Sequence, residues 1–213
     1  RQFDIPVIGI TGTNGKTTSA RMIEQAFTNC GIPFLSNRSG ANLISGITTE
    51  FIMASTWQGK PKKSYAVIEC DEAAAKRVFV QLQPKVVVVT NLFRDQLDRF
   101  GEVTHTLRNI RTAMEGAPEA VLCLNADCSL TSSLAEGLPN PVIWFGVNPG
   151  ASPSRPKPEL SDALYCIRCK TEYEYDAKDR LHEVRHNTDG VPTQEGLSDG
   201  LFVANVAKSL SPM

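Results

Sequence analysis

Four consecutive valines, Val86, Val87, Val88 and Val89, constrain this chain more than any other feature. A run of β-branched residues with no polar alternate has no face to offer to water, so it reads as a strand covered on both sides. Four more apolar segments of strand length recur: IPVIGI at 5–10, YAVIEC at 65–70, AVLCLN at 120–125 and PVIWFG at 141–146. Helix-like stretches separate them at 17–30, 72–83, 102–116 and 128–137. Strands alternating with helices predict a mostly parallel sheet with helices on both faces, a doubly wound α/β fold. The composition agrees, because 41% hydrophobic and 21% charged residues exclude a disordered, collagen-like or coiled-coil chain.

Charge narrows the partners. With 22 Lys and Arg against 23 Asp and Glu, the net charge of -1 leaves no electrostatic footprint for nucleic acid, and no nucleic-acid partner is expected. The valine run is the longest aliphatic one, far short of the roughly 18 apolar residues that span a bilayer. The amino-terminal RQFDIPVIGITG has no secretory pattern, and six scattered cysteines in a chain of 213 residues fit a reducing compartment. A cytoplasmic protein is therefore expected. Because the chain begins at Arg1, it is read as a piece of something longer.

The strongest local motif is TGTNGKTT at 11–18, placed between a buried strand and an amphipathic helix. Gly12 and Gly15 allow the backbone to turn its N–H groups onto a phosphate. Lys16 reaches the terminal phosphates, the Thr17 hydroxyl suits magnesium, and the helix amino terminus adds its dipole. The pattern predicts a nucleoside triphosphate cradle made of Gly12, Thr13, Asn14, Gly15, Lys16, Thr17 and Thr18. Its spacing departs from the strict Walker form, which would put glycine where Ile10 stands.

Such sites also need an acid at the end of a neighbouring strand, to hold magnesium directly or through water. Glu69, closing YAVIE, is the candidate. Asp71 and Glu72 follow at once and read equally as acids that start a helix. The next strand ends in TNLFRDQLDRFGE at 90–102, which brings Asn91, Arg94, Asp95, Gln96 and Asp98 toward the carboxyl edge of the sheet, where ligands bind.

Taken together, TGTNGKTT at 11–18, Glu69 and NLFRDQLDRFGE at 91–102 resemble the central ATPase domain of the ATP-dependent Mur ligase superfamily, over most of residues 5–150. The resemblance implies ATP and Mg2+ as cofactors and activation of a carboxylate to an acyl phosphate that an amine attacks. NRSGANLISGITTEF at 37–51, Arg94 with Gln96, and a Cys-x-x-Cys insertion resemble the MurT branch, lipid II isoglutaminyl synthase. In other branches a metal-coordinating histidine commonly stands at the position of Gln96 and a carbamylated lysine follows. Residues 91–116 contain no lysine, which argues against a muramyl-peptide amino-acid ligase. The MurT resemblance implies ammonia from a GatD-type glutaminase partner, lipid II D-glutamate as substrate, and work at the inner membrane face. By the same carry-over Lys16 and Glu69 are catalytic, and Asn42, Asn91 and Asp95 lie at the nucleotide; for Asn42 a structural turn asparagine is the alternative. A folate or muramyl-peptide ligase and a nucleotide-binding module without activity of its own are the competing readings.

Beyond Gly146 the pattern changes, with four prolines and a glycine in VNPGASPSRPKPELSD, then two short polar strands around a turn at 176–179. Cys166 and Cys169 have the gap of a zinc knuckle, the start of a small zinc-ribbon-like β insertion. Where that family usually carries a second pair stand His186 and Asp189, with His182 as another donor. Zinc on Cys166, Cys169, His186 and Asp189, a ribbon without metal, and a redox pair all stay open. The expected organisation is an ATP-binding domain at 1–150, the linker and insertion at 151–190, and at 191–213 the incomplete end of the central domain, with the carboxy-terminal ligase domain absent.

Overall fold

The computed structural model describes residues 5–38, 40–92, 102–126 and 128–146. In chain order these form β1 (Val7–Thr11), α1 (Lys16–Asn29), β2 (Phe34–Ser36), α2 (Ile44–Met53), β3 (Tyr65–Glu69), α3 (Glu72–Leu82), β4 (Val86–Val89), α4 (Glu102–Glu115), β5 (Val121–Asn125), α5 (Ser129–Ser133) and β6 (Val142–Phe145). The strands make one six-stranded sheet in the order β2-β3-β1-β4-β5-β6, and every pair is parallel. The 151–190 insertion and the 191–213 end lie outside the described residues.

The valines behave as their chemistry requires. All four of β4 are buried, Val87 and Val89 in one apolar cluster and Val86 and Val88 in the other. The first cluster takes side chains from α2, α3, α4 and α5, and the second takes Ala20 and Ile23 from α1. Helices thus lie on both faces, unequally among the described residues. Gly9 of β1 makes one of these packings close: a Cβ there would meet the Phe79 ring of α3 at 2.7 Å, so the ring rests on bare backbone.

Four of the expected helices appear within a residue or two, except that α5 stops at Ser133. β2 and α2 did not stand out in the sequence. β2 is only Phe-Leu-Ser after Pro33, too short for a period to register. α2 carries Gly46 and five β-branched residues, Ile44, Ile47, Thr48, Thr49 and Ile52, which favour a helix less than straight-chain residues do. Packing overrides propensity there. Ile47 and Phe51 are buried in the larger cluster, and the hydroxyls of Thr48 and Thr49 donate back to the carbonyls of Ile44 and Ser45 at 2.7 and 2.9 Å.

At the amino end of β6, the buried amide of Asn140 donates to the carbonyls of Ala117, Pro118 and Ala120 at 3.0, 3.0 and 2.8 Å and closes the turn before β5. Two thiols are sealed in the core. Burial pushes both Cys70 and Cys123 up to about 12; at Cys70 the carboxylates of Asp71 and Glu72 push the same way and Lys16 opposes them.

An unfolded thiol gives up its proton near pH 9, while these two keep theirs until about 12. The folded chain then holds more protons than the unfolded one, so stability is full below pH 9 and falls as pH rises from there. Denaturant unfolding at pH 8, 9 and 10 is expected to show that fall. Cys123→Ala should flatten it whatever its effect on stability at pH 8; a slope equal to that of the parent chain would contradict the assignment.

Candidate active site

Register sets the site. Ile10 of β1 lies beside Glu69 of β3 and Thr11 beside Val89 of β4, so the residues after β1 emerge between the ends of its two neighbours. Here the chain order reverses across the sheet, the position where α/β sheets open a crevice. The loop from Gly12 to Gly15 turns sharply there, with Gly12 at φ 122° and Gly15 at φ 82°. At Gly12 a side chain has no room either: a Cβ would sit 2.8 Å from the Asn91 carbonyl oxygen and against the Thr90 hydroxyl.

The loop is held by residues that follow β4. The Thr90 hydroxyl donates to the Asn14 carbonyl at 2.6 Å, the Asn91 side-chain oxygen accepts from the Asn14 amide at 2.9 Å, and the Asn91 carbonyl accepts from the Thr13 amide at 2.8 Å. Asn125, ending β5, donates in turn to the Thr90 carbonyl at 2.9 Å. Asn91, expected at the nucleotide, therefore enters the site as a residue that shapes the loop.

Helix α1 begins at Lys16, and its amino end has neither a side-chain cap nor an acid in the first turn. The first amides of a helix lack intrahelical partners, so this end presents N–H groups and a partial positive charge at the crevice. Lys16 folds back over the loop. Its Nζ donates to the Gly12 carbonyl, to the Thr13 carbonyl at 3.3 Å and to Glu72 Oε1 at 3.0 Å, with both charged side chains mostly buried. Thr17 is exposed and its hydroxyl donates to Glu69, 2.9 Å from Oε2 and 3.1 Å from Oε1.

The three acids at the end of β3 and just beyond it, Glu69, Asp71 and Glu72, divide their work. Asp71 caps α3, accepting from the amides of Ala73 and Ala74 at 2.9 and 3.3 Å. Glu72 pairs with Lys16, and Glu69 pairs with Thr17. The helix-start reading thus holds for both: Asp71 is the cap and Glu72 is the acid of the first turn of α3, where it also pairs with Lys16. Asn42 lies in the loop that rests on this strand end, its carbonyl accepting from the Asp71 amide at 3.0 Å.

Asn37 was not singled out as a site residue, although it opens the segment NRSGAN. It is 3% exposed and bonds both backbone groups of Glu69: Nδ2 donates to the Glu69 carbonyl at 2.7 Å and Oδ1 accepts from the Glu69 amide at 2.9 Å. Thr90 was likewise missed. Asp95, Arg94, Gln96 and Asp98, and the zinc candidates Cys166, Cys169, His182, His186 and Asp189, lie outside the described residues. Among the described residues no group of three or more metal-binding side chains forms, and no helix is long and apolar enough to cross a membrane.

An all-parallel sheet with a glycine loop, a lysine and an open helix end at its reversal point defines an α/β domain of the phosphate-loop class. The Mur ligase middle domain matches residues 10–175, and the chain belongs to that family. The MurT subunit of lipid II isoglutaminyl synthase (glutamine-hydrolyzing) from Streptococcus pneumoniae is 35% identical over 170 residues, 80% of this chain and 37% of that protein. Its counterpart in Staphylococcus aureus is 36% identical over the same shares. The chain therefore spans little more than a third of the length of these relatives. Among solved structures, MurF from Acinetobacter baumannii superposes with a TM-score of 0.57 at 22% identity, over 67% of this chain and 31% of that one. The Mur ligase family uses ATP and Mg2+. The donors here suit such a metal, because a hydroxyl and a carboxylate are hard oxygen ligands.

The geometry at Gly12 is directly testable. Gly12→Ala adds a methyl at φ 122° into backbone and side-chain atoms, and strain of about 1–3 kcal/mol is expected to appear as roughly tenfold or greater loss of nucleotide affinity. Gly59→Ala is the comparison, since Gly59 also has positive φ, at 79°, but faces open space. Calorimetric titration should show weakened binding for the first and parental binding for the second.

Proposed function

We propose that this chain is the ATP-binding part of a ligase subunit that amidates the α-carboxylate of D-glutamate in the lipid II stem peptide. The observation that carries the reading is the join of Lys16, the open end of α1 and the Thr17–Glu69 pair at one sheet edge, in a chain 35–36% identical to MurT subunits. In the reaction an oxygen of the substrate carboxylate bonds to the γ-phosphorus of ATP and ADP leaves. Ammonia then attacks the acyl carbon, phosphate departs, and the nitrogen loses a proton to give the amide. No side-chain nucleophile is needed, because catalysis of this type is positioning plus stabilisation of charge on a phosphoryl group in transfer.

The loop amides and Lys16 would receive phosphate oxygens, and Thr17 and Glu69 would hold Mg2+, which supplies charge neutralisation when bound. Ammonia would come from a GatD-type glutaminase subunit, a reading supported by the word "subunit" and the glutamine-hydrolysing activity in the names of the MurT relatives. Work on a lipid-linked substrate would be done at the inner membrane face. The absence of lysine from 91–116 disfavours the muramyl-peptide and folate ligase alternatives.

The purified chain is expected to bind Mg-ATP, and Lys16→Ala to reduce that affinity at least tenfold through loss of a charge-assisted contact. Unchanged affinity would sink the reading of the loop. Mixed with a glutaminase partner and lipid II, the subunit that carries this chain should show glutamine- and ATP-dependent amidation; ATP-dependent addition of an amino acid instead would assign it to the competing ligases. The zinc proposal rests on the two-residue gap between Cys166 and Cys169 and on His186 and Asp189 at the place of a second pair. Elemental analysis of protein purified without added metal should find near one equivalent, and less than about a tenth would overturn it.

A further inference from the structure

Strand β2 ends at Ser36, which pairs with Val67, two residues short of the end of β3. The amide and carbonyl of one strand residue point to the same neighbour. Those of Glu69 point to the β2 side, since the following amide, of Cys70, already donates to Ile10 of β1 at 2.8 Å. With the main chain of β2 turning away, Glu69 would lose its partners just where its side chain is needed. Asn37 fills the gap, because a primary amide carries the same donor and acceptor as a peptide group and can continue the ladder from a side chain.

The asparagine is itself fixed from several sides. Its Nδ2 donates a second bond, to the Ala41 carbonyl at 3.0 Å, and the residue is 3% exposed. The residues that flank it are tied to α1: the Ser36 hydroxyl donates to the buried Glu24 carboxylate, and Arg38 Nε approaches the same carboxylate at 2.9 Å. Glu24 lies on the helix that opens with Lys16 and Thr17. Ser36, Asn37 and Arg38 thus join the helix that bears Thr17 to the strand that bears Glu69.

We propose that Asn37 is a positioning residue for the metal end of the nucleotide site: by holding both backbone groups of Glu69, it sets the carboxylate at hydrogen-bond distance from Thr17 so that the two can share a Mg2+. This rests on the function proposed above and assigns a role within it. A purely structural Asn37 would support the fold and affect ATP with and without metal alike. A positioning Asn37 affects the Mg2+-dependent part.

The test is calorimetric titration of this chain with ATP, with and without Mg2+, for the parent, Glu69→Gln, Asn37→Ala, Asn37→Asp and Asn140→Ala. Partners that orient a metal ligand typically change metal affinity by about 10–100-fold. Asn37→Ala is expected to lower the benefit from Mg2+ by that factor, toward the value of Glu69→Gln, with metal-free ATP affinity kept. Asn140→Ala removes a buried amide far from Glu69 and should lower thermal stability while leaving the benefit from Mg2+ intact. Asn37→Asp keeps the acceptor for the Glu69 amide and the shape of the side chain, so it provides a folded variant if the alanine chain does not fold, and a partial loss is expected. A parental benefit from Mg2+ in either folded Asn37 variant, or an equal loss with and without metal, overturns the proposal. A parent chain that gains nothing from Mg2+ overturns the proposed function, and the role of Asn37 falls with it.

Discussion

Parallel strands that stop together leave peptide groups without neighbours at their ends, and the candidate site stands at such an edge. The chain meets that shortage with side chains that imitate backbone. Asn37 pairs with Glu69, Thr90 and Asn91 pair with the turn after β1, and Asn125 pairs with Thr90. Unpaired backbone groups in a closed environment are costly, so these amides and hydroxyls are as necessary to the sheet edge as the valines are to its interior. The shape of the phosphate loop and the place of the Glu69 carboxylate both follow from them.

The electrostatics of the edge build on that frame. Three acids in four residues, Glu69, Asp71 and Glu72, would repel one another if left together. Each is instead given its own counterpart: a threonine hydroxyl, the start of a helix, and a lysine. Burial first, and then the carboxylates of this arrangement, hold the Cys70 thiol in its neutral form and make it a packing residue. A crevice with an open helix end on one side and carboxylates on the other suits a ligand that carries phosphates and a divalent cation together.

Features whose causes are local were plain in the sequence. The valine run of β4 and the glycine-lysine turn before α1 each announce themselves within a few residues, and so did the parallel α/β architecture. What stayed hidden depends on distant partners. Asn37 looks like an ordinary loop residue until Glu69, 32 positions on, is laid beside it. Thr90 gives no signal without Asn14, from which it is separated by 76 positions. Helix α2 is the reverse case, a segment whose own propensity speaks against the helix that its buried Ile47 and Phe51 impose.

The separation between Asn14 and the residues that shape its loop also bears on how the protein is made. Residues 7–27 contain the whole recognisable motif, yet the bonds that fix its turn come from Thr90 and Asn91. Closing a segment of that length carries an entropic cost that the sheet must offset, so the loop takes this shape only once β4 is in place beside β1. During synthesis the amino-terminal part emerges first, but its cradle stays unformed until β4 and the two residues after it have left the ribosome. Nucleotide binding by a growing chain would therefore report that the sheet has assembled across its centre, rather than that the motif has been translated.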